Sequence, residues 1–105
     1  MIRITFTEKD SLLTGFECKG HSDYAKDGDD DILCAFVSSA CLMTANTVTE
    51  VIGLKAQASS VNGYLRLEIE ESPEKARDVL QGLLLHLKAL DKEYPGNIKV
   101  TISEV

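Results

Sequence analysis

The chain holds only two histidines, and one of them, His21, stands thirteen residues before a cysteine, Cys34, in the stretch "GHSDYAKDGDDDILCAFVSS". A thiol beside an imidazole is a nucleophile beside its base. The thiolate attacks, and the imidazolium both lowers the thiol pKa and carries the proton. Such pairs meet in space and not in sequence, so the spacing neither makes nor breaks this one. The competing reading is packing: free cysteine is among the most buried residue types, and a loop histidine is ordinarily solvated. Residue types alone leave both readings open.

The elements that would position the pair are legible around it. Asp31 precedes the apolar run Ile32-Leu33-Cys34, which is an N-cap signal. With Asp31 as the cap, Cys34 is the third helical residue, inside the positive end of the macrodipole, where a thiolate is favoured. The helix is expected to run to about Ile52, with Gly53 as its stop. Leu33, Val37, Ala40, Thr44, Thr47 and Val51 form one stripe along it. Cys34, Ser38, Cys41 and Ala45 form a second, small-residue stripe. His21 follows Gly20 at the end of a strand, and residues 20–30 show no periodicity, so they read as a loop rich in aspartate.

Ile2, Ile4 and Phe6 alternate with polar residues as in a half-buried strand, "EKDS" reads as a turn, and "LLTGFECKG" reads as the second arm of a hairpin. "KAQASSV" and "YLRLEIE" flank Asn62-Gly63, a strong hairpin signal. Ser72-Pro73 opens a second helix as N-cap and first residue. Its stripe is Ala76, Val79, Leu80, Leu83, Leu84, Leu87 and Leu90, ended by Pro95-Gly96. Ile98, Val100 and Ile102 alternate as a last strand. The order is ββαββαβ, a single α+β domain over residues 1–105, with two helices packed on a mostly antiparallel sheet.

Bulk properties narrow the function. A chain of 105 residues, 44% hydrophobic, has material for one small core. The net charge of −6 argues against direct nucleic-acid binding and favours basic partners. Residues 32–49 carry no charge, which approaches the length of a membrane span. Six of those residues are Ser, Thr or Asn, so a central helix of a soluble domain is the better reading. The N-terminus shows no basic region followed by an apolar stretch. Three cysteines without a C-x-x-C spacing form no disulfide framework. A cytoplasmic, thiol-reduced protein is expected.

The Gly-His pair, "YA", a further Gly and "DILCAFVS" together resemble the signature of the ribosomal-processing cysteine proteases of bacteria, the Prp family. The order of elements matches that family from end to end. One departure is Phe36, where the family has a smaller residue, usually Ala. Phe36 lies on another face of the helix from Cys34, so an effect on core packing is expected. The resemblance implies a Cys-His endopeptidase that removes the short N-terminal extension of a large-subunit ribosomal protein, the twenty-seventh. Cleavage would follow an aromatic pair. Cys34 matches the nucleophile and His21 the general base and acid; Gly20, Asp31 and Ser38 fall on the other motif positions. It implies a homodimer and no cofactor. Backbone N–H groups at the helix start, including that of Cys34, would stabilise the oxyanion.

Several residues carry second readings. Asp31 could orient His21 as in a triad, although the capping role is the stronger signal. Ser38, one turn beyond Cys34, either hydrogen-bonds the site or packs. The loop aspartates lack the EF-hand spacing, so no metal site is expected. A solvated loop able to close over bound peptide fits better, with Tyr24 and Ala25 as substrate contacts. Cys18 and Cys41 read as structural, and His86 as a helix-boundary residue. Two other functions stay in view: a non-enzymatic ribosome-associated binding module with a buried thiol, and a thiol redox sensor using Cys34, with Cys41 as a partner.

Overall fold

The computed structural model describes residues 1–20, 28–61 and 63–105, with residues 28–31 described by their backbone alone. Strands β1 (Ile2–Lys9) and β2 (Leu12–Lys19) precede helix α1 (Gly28–Asn46). Strands β3 (Ala56–Val61) and β4 (Tyr64–Ile69), helix α2 (Arg77–Glu93) and strand β5 (Ile98–Glu104) follow. The five strands form one sheet in the order β3-β4-β2-β1-β5. β5 runs parallel to β1, and the other neighbouring pairs are antiparallel. The sheet is therefore mixed, and the expected α+β order holds.

Alternation buries one face of the sheet under the helices. Ile2, Ile4 and Phe6 of β1 and Phe16 and Cys18 of β2 point inward, with Leu67 and Ile69 of β4. The expected stripe of α2 meets them: Ala76, Leu80, Leu83, Leu84, Leu87 and Leu90 are all buried. The opposite face is polar, where Thr7 and Thr14 share a hydrogen bond of 3.0 Å. On β5 the alternation fades, since Ile98 is buried but Ile102 is 44% exposed. The strand outruns the helices that would cover it.

Both hairpin loops are two residues long. Lys9 pairs with Leu12 around Asp10 and Ser11, which both take positive φ, 52° and 68°. The turn is thus narrower than "EKDS", and Glu8 and Lys9 belong to the strand. Val61 pairs with Tyr64 across the second turn, whose Gly63 has φ 74°, as a mirror-image turn requires. Gly15 of β2 is needed for close approach: a Cβ there would collide with the carbonyl oxygen of Leu67 on β4.

Three helix boundaries differ from expectation. α1 starts at Gly28, a turn before Asp31. Acidic residues in a first turn complement the macrodipole, so the aspartate run continues the helix rather than capping it. At its other end α1 passes into a π-helical turn, Thr47–Ile52, closed by Gly53 in the left-handed region at φ 78°. The wider turn changes the face presented to the sheet: Val48 is buried and Val51 is 79% exposed. Thr44, Thr47 and Thr49 each donate to the carbonyl four residues back. Ser72 precedes a 3-10 turn, Pro73–Ala76, with its backbone left-handed and its hydroxyl making no capping bond.

The long apolar helical segment Ile32–Ile52 has the length and hydropathy of a membrane span. Here it is a core helix, with Leu33, Val37, Cys41, Thr44, Ala45 and Val48 buried.

Candidate active site

Cys34 is half-buried on α1 and packs by one side against the core. Its other side opens on a groove of about 570 Å³. The walls come from three places: Cys34, Ser38, Cys41 and Leu42 of α1, Cys18 and Gly20 at the end of β2, and Ser60, Val61, Gly63, Tyr64 and Leu65 of the β3–β4 hairpin. The sheet extends past α1 on this side, so the helix flank and the inner face of the hairpin meet at an open angle.

Gly20 ties the parts together. Its N–H donates to the Gly63 carbonyl at 3.1 Å, joining the end of β2 to the hairpin turn. Its φ is 84°, and a Cβ would lie 2.5 Å from the Met1 carbonyl oxygen. Only glycine fits both conditions, which accounts physically for the first residue of the Gly-His motif. His21, Tyr24 and Ala25 lie outside the described residues. The second histidine, His86, is exposed on α2 and lines a different, apolar groove between the two helices.

Ser38 is exposed and lines the Cys34 groove. Its hydroxyl bonds to none of the described residues. Asp31 is corrected from cap to interior: it is the fourth residue of α1. Cys34 is six residues past Gly28, so its N–H belongs to the helical ladder and not to the free groups at the helix end. The expectation that this N–H serves the oxyanion falls with the cap. Phe36 is also corrected: it is 46% exposed and lines the outer groove with Ala40, Met43, Val79, Gly82 and Leu83, so its extra bulk faces outward.

The other two thiols, Cys18 and Cys41, are both buried and are neighbours at the wall of the same groove. The neighbouring Cys18 and burial push the Cys41 thiol pKa well up, so it stays protonated. Both are structural, as expected. Cys41 is buried, whereas Cys34 is half-buried.

Tyr64 is a groove residue that sequence reasoning passed over. Its hydroxyl donates to Glu17 Oε2 at 2.8 Å, while Lys19 Nζ lies 3.3 Å from Glu17 Oε1. The Tyr64 hydrogen bond, followed by Lys19, holds the Glu17 carboxyl below its usual range. The same bond raises the Tyr64 pKa, since ionisation would set a phenolate against a carboxylate. The signal was present: the Asn-Gly turn makes Tyr64 the first residue of β4.

Comparison with known proteins decides the family. The family described as cysteine protease Prp matches residues 1–99. The chain belongs to that family. It is a cysteine protease. The ribosomal processing cysteine protease Prp of Bacillus subtilis (strain 168) is 29% identical over 109 residues, covering 96% of each chain. That of Staphylococcus aureus (strain Mu50) is 27% identical, covering 95% of this chain and 97% of its own. Two solved structures of the S. aureus Prp protease share the fold. One, with a covalently linked product peptide, has a TM-score of 0.84 at 23% identity, covering 98% of this chain and 100% of its own. The other, with a substrate peptide, has a TM-score of 0.86 at 21% identity over the same shares.

Proposed function

We propose that this cysteine protease removes the N-terminal extension of a basic large-subunit ribosomal protein, the twenty-seventh, with Cys34 as nucleophile and His21 as general base and acid. The observation that carries the assignment is the position of Cys34. It is the half-exposed member of three thiols, and it opens on a groove that Gly20 also lines. His21 follows Gly20 directly in the chain, whereas His86 borders a separate groove. An inert core thiol, as the binding-module reading requires, would be buried as Cys18 and Cys41 are, although they too border the groove. Relatives named ribosomal processing proteases give the substrate class.

The steps follow from acyl transfer. The Cys34 thiolate attacks the scissile carbonyl, forming an acyl-enzyme as the amide C–N bond breaks. Protonated His21 gives its proton to the leaving amine, then takes one from water, and the resulting hydroxide releases the acyl group. The exposed Ser38 hydroxyl, one turn from Cys34, is a donor for the substrate backbone. Cleavage follows an aromatic pair, Tyr24 and Ala25 contact the peptide, and the net charge of −6 draws a basic substrate inward. A homodimer in the cytoplasm completes the reading, resting on the resemblance and on the cysteine usage.

The test is cleavage of a peptide copying that N-terminal extension. Wild type cuts after the aromatic pair. Cys34→Ala and His21→Ala each lose at least a hundredfold in kcat/KM. A folded wild type that leaves the peptide intact overturns the assignment.

A further inference from the structure

The net charge of −6 is not spread evenly, and the sheet face turned away from the helices gathers cations. Arg3 of β1 is paired with Lys19 of β2 on one side and with Lys99 of β5 on the other. Residues directly opposite across strands share a face. Lys99, Arg3 and Lys19 therefore stand in one row on three adjacent strands, and all three are exposed. Arg66 lies on the same face, opposite Glu17. The carboxylates nearby engage the two cations at one end: Glu17 lies 3.3 Å from Lys19, and Glu68 contacts Arg66. Among the described residues, neither Arg3 nor Lys99 has a carboxylate in ion-pair range. Like charges directly opposite one another destabilise a sheet. Two such pairs side by side oppose the fold, and an anionic partner would offset them.

The rest of the face says which kind of anion fits. The outward residues of β1 and β5 are Arg3, Thr5, Thr7, Lys99, Thr101 and Ser103, with no apolar side chain among them. Thr101 donates to Thr5 at 3.4 Å. A protein partner would find no apolar anchor here. A nucleic-acid backbone is held by cations and hydroxyl groups alone. The row ends on Tyr64, opposite Lys19, and the bond to Glu17 fixes its hydroxyl. Its ring offers a base a surface to stack on. Neighbouring strands lie about 4.8 Å apart, so the row from Lys99 to Tyr64 spans about 14 Å. We propose that this open sheet face binds single-stranded RNA, with Lys99, Arg3 and Lys19 on phosphates and Tyr64 under a base. Lys19 leads directly into Gly20, and Tyr64 borders the Cys34 groove. The RNA therefore lies at the same end of the molecule as the protease site, on the reverse of the sheet. RNA binding does not depend on the protease reading. Where both hold, a substrate protein carried on RNA is held beside the site.

The experiment measures fluorescence anisotropy of a short labelled oligouridylate titrated with the full chain, from about 20 to about 200 mM salt. Three phosphates neutralised on a single strand give a slope of about −2 for log affinity against log salt. Arg3→Glu should weaken binding about tenfold or more and flatten that slope by about 0.7 or more. Its fold is secure, because a carboxylate between two lysines relieves the repulsion. Its melting temperature should equal or exceed that of wild type. Tyr64→Leu should weaken binding while leaving the slope unchanged, as loss of stacking without loss of a phosphate contact requires. Lys88→Glu, an exposed cation on α2, makes the same change of charge away from the row and should bind as wild type does. No binding by wild type at low salt overturns the proposal. So does an equal loss in Arg3→Glu and Lys88→Glu, which would reflect net charge alone. Tighter binding of an oligoglutamate of equal charge gives the row to an acidic protein and also overturns it.

Discussion

Cys34 differs from the other two thiols in exposure, and that difference is chemically testable. Cys18 and Cys41 are buried against each other, and the Cys41 thiol pKa is pushed up. Iodoacetamide at neutral pH is expected to label Cys34 alone in the folded protein, and all three cysteines after denaturation, read by mass spectrometry. Labelling of Cys41 at the rate of Cys34 would contradict the burial. Glu17 gives a second residue-scale prediction. Its carboxyl pKa is depressed below the usual 4.5, so it stabilises the fold above that value. The stabilisation is lost as pH falls through the folded-state pKa. Tyr64→Phe removes the largest cause, and the Glu17 pKa, followed by NMR titration, should move up toward 4.5. The melting temperature should then begin its acid decline at a higher pH than in wild type. The Cys34 and Ser38 positions were legible from helical spacing. Tyr64 was not weighed, because its link to Glu17 joins strands remote in sequence.

At the scale of elements, two glycines make opposite predictions. Gly82 sits in mid-α2, where a Cβ meets nothing within 4 Å. Gly82→Ala should stabilise by roughly 0.5–1 kcal/mol through helix propensity and lower unfolded-state entropy, seen as a higher urea midpoint. Gly15→Ala should do the reverse and separate β2 from β4, because Leu67's carbonyl occupies the space. A loss of about 1–3 kcal/mol is the usual scale of such overpacking. Most elements were readable: the α2 stripe is buried apart from half-buried Val79, and both hairpins form. The misreadings cluster at helix ends. Asp31 satisfied the pattern of a cap, yet the acidic run suits the interior of a first turn equally well. Val51 fitted a 3.6-residue period that the π turn does not keep.

At the scale of the molecule, α1 and the β3–β4 hairpin create the groove by failing to cover each other fully. A long flank of α1 faces small residues on a strand at the sheet edge. The proposed homodimer is tested by light scattering across a dilution series: twice the monomer mass is expected, and monomer at every concentration would remove it. The outer groove with Phe36 faces away from Cys34. Phe36→Ala is therefore expected to leave peptide cleavage within about twofold of wild type, close to neutral for a surface change.

The sequence by itself determined the element order, the inward faces of strands and helices, the Gly-His and Cys motif, and with them the family. Those are local patterns, written in periods of two and of about 3.6 residues. Tertiary structure decided what surrounds the thiol. Gly20, Cys34, Ser60 and Tyr64 meet because β2 lies beside β4, and because α1 leaves β3 uncovered. That adjacency depends on hydrogen-bonded pairing between distant strands, and no local period encodes it.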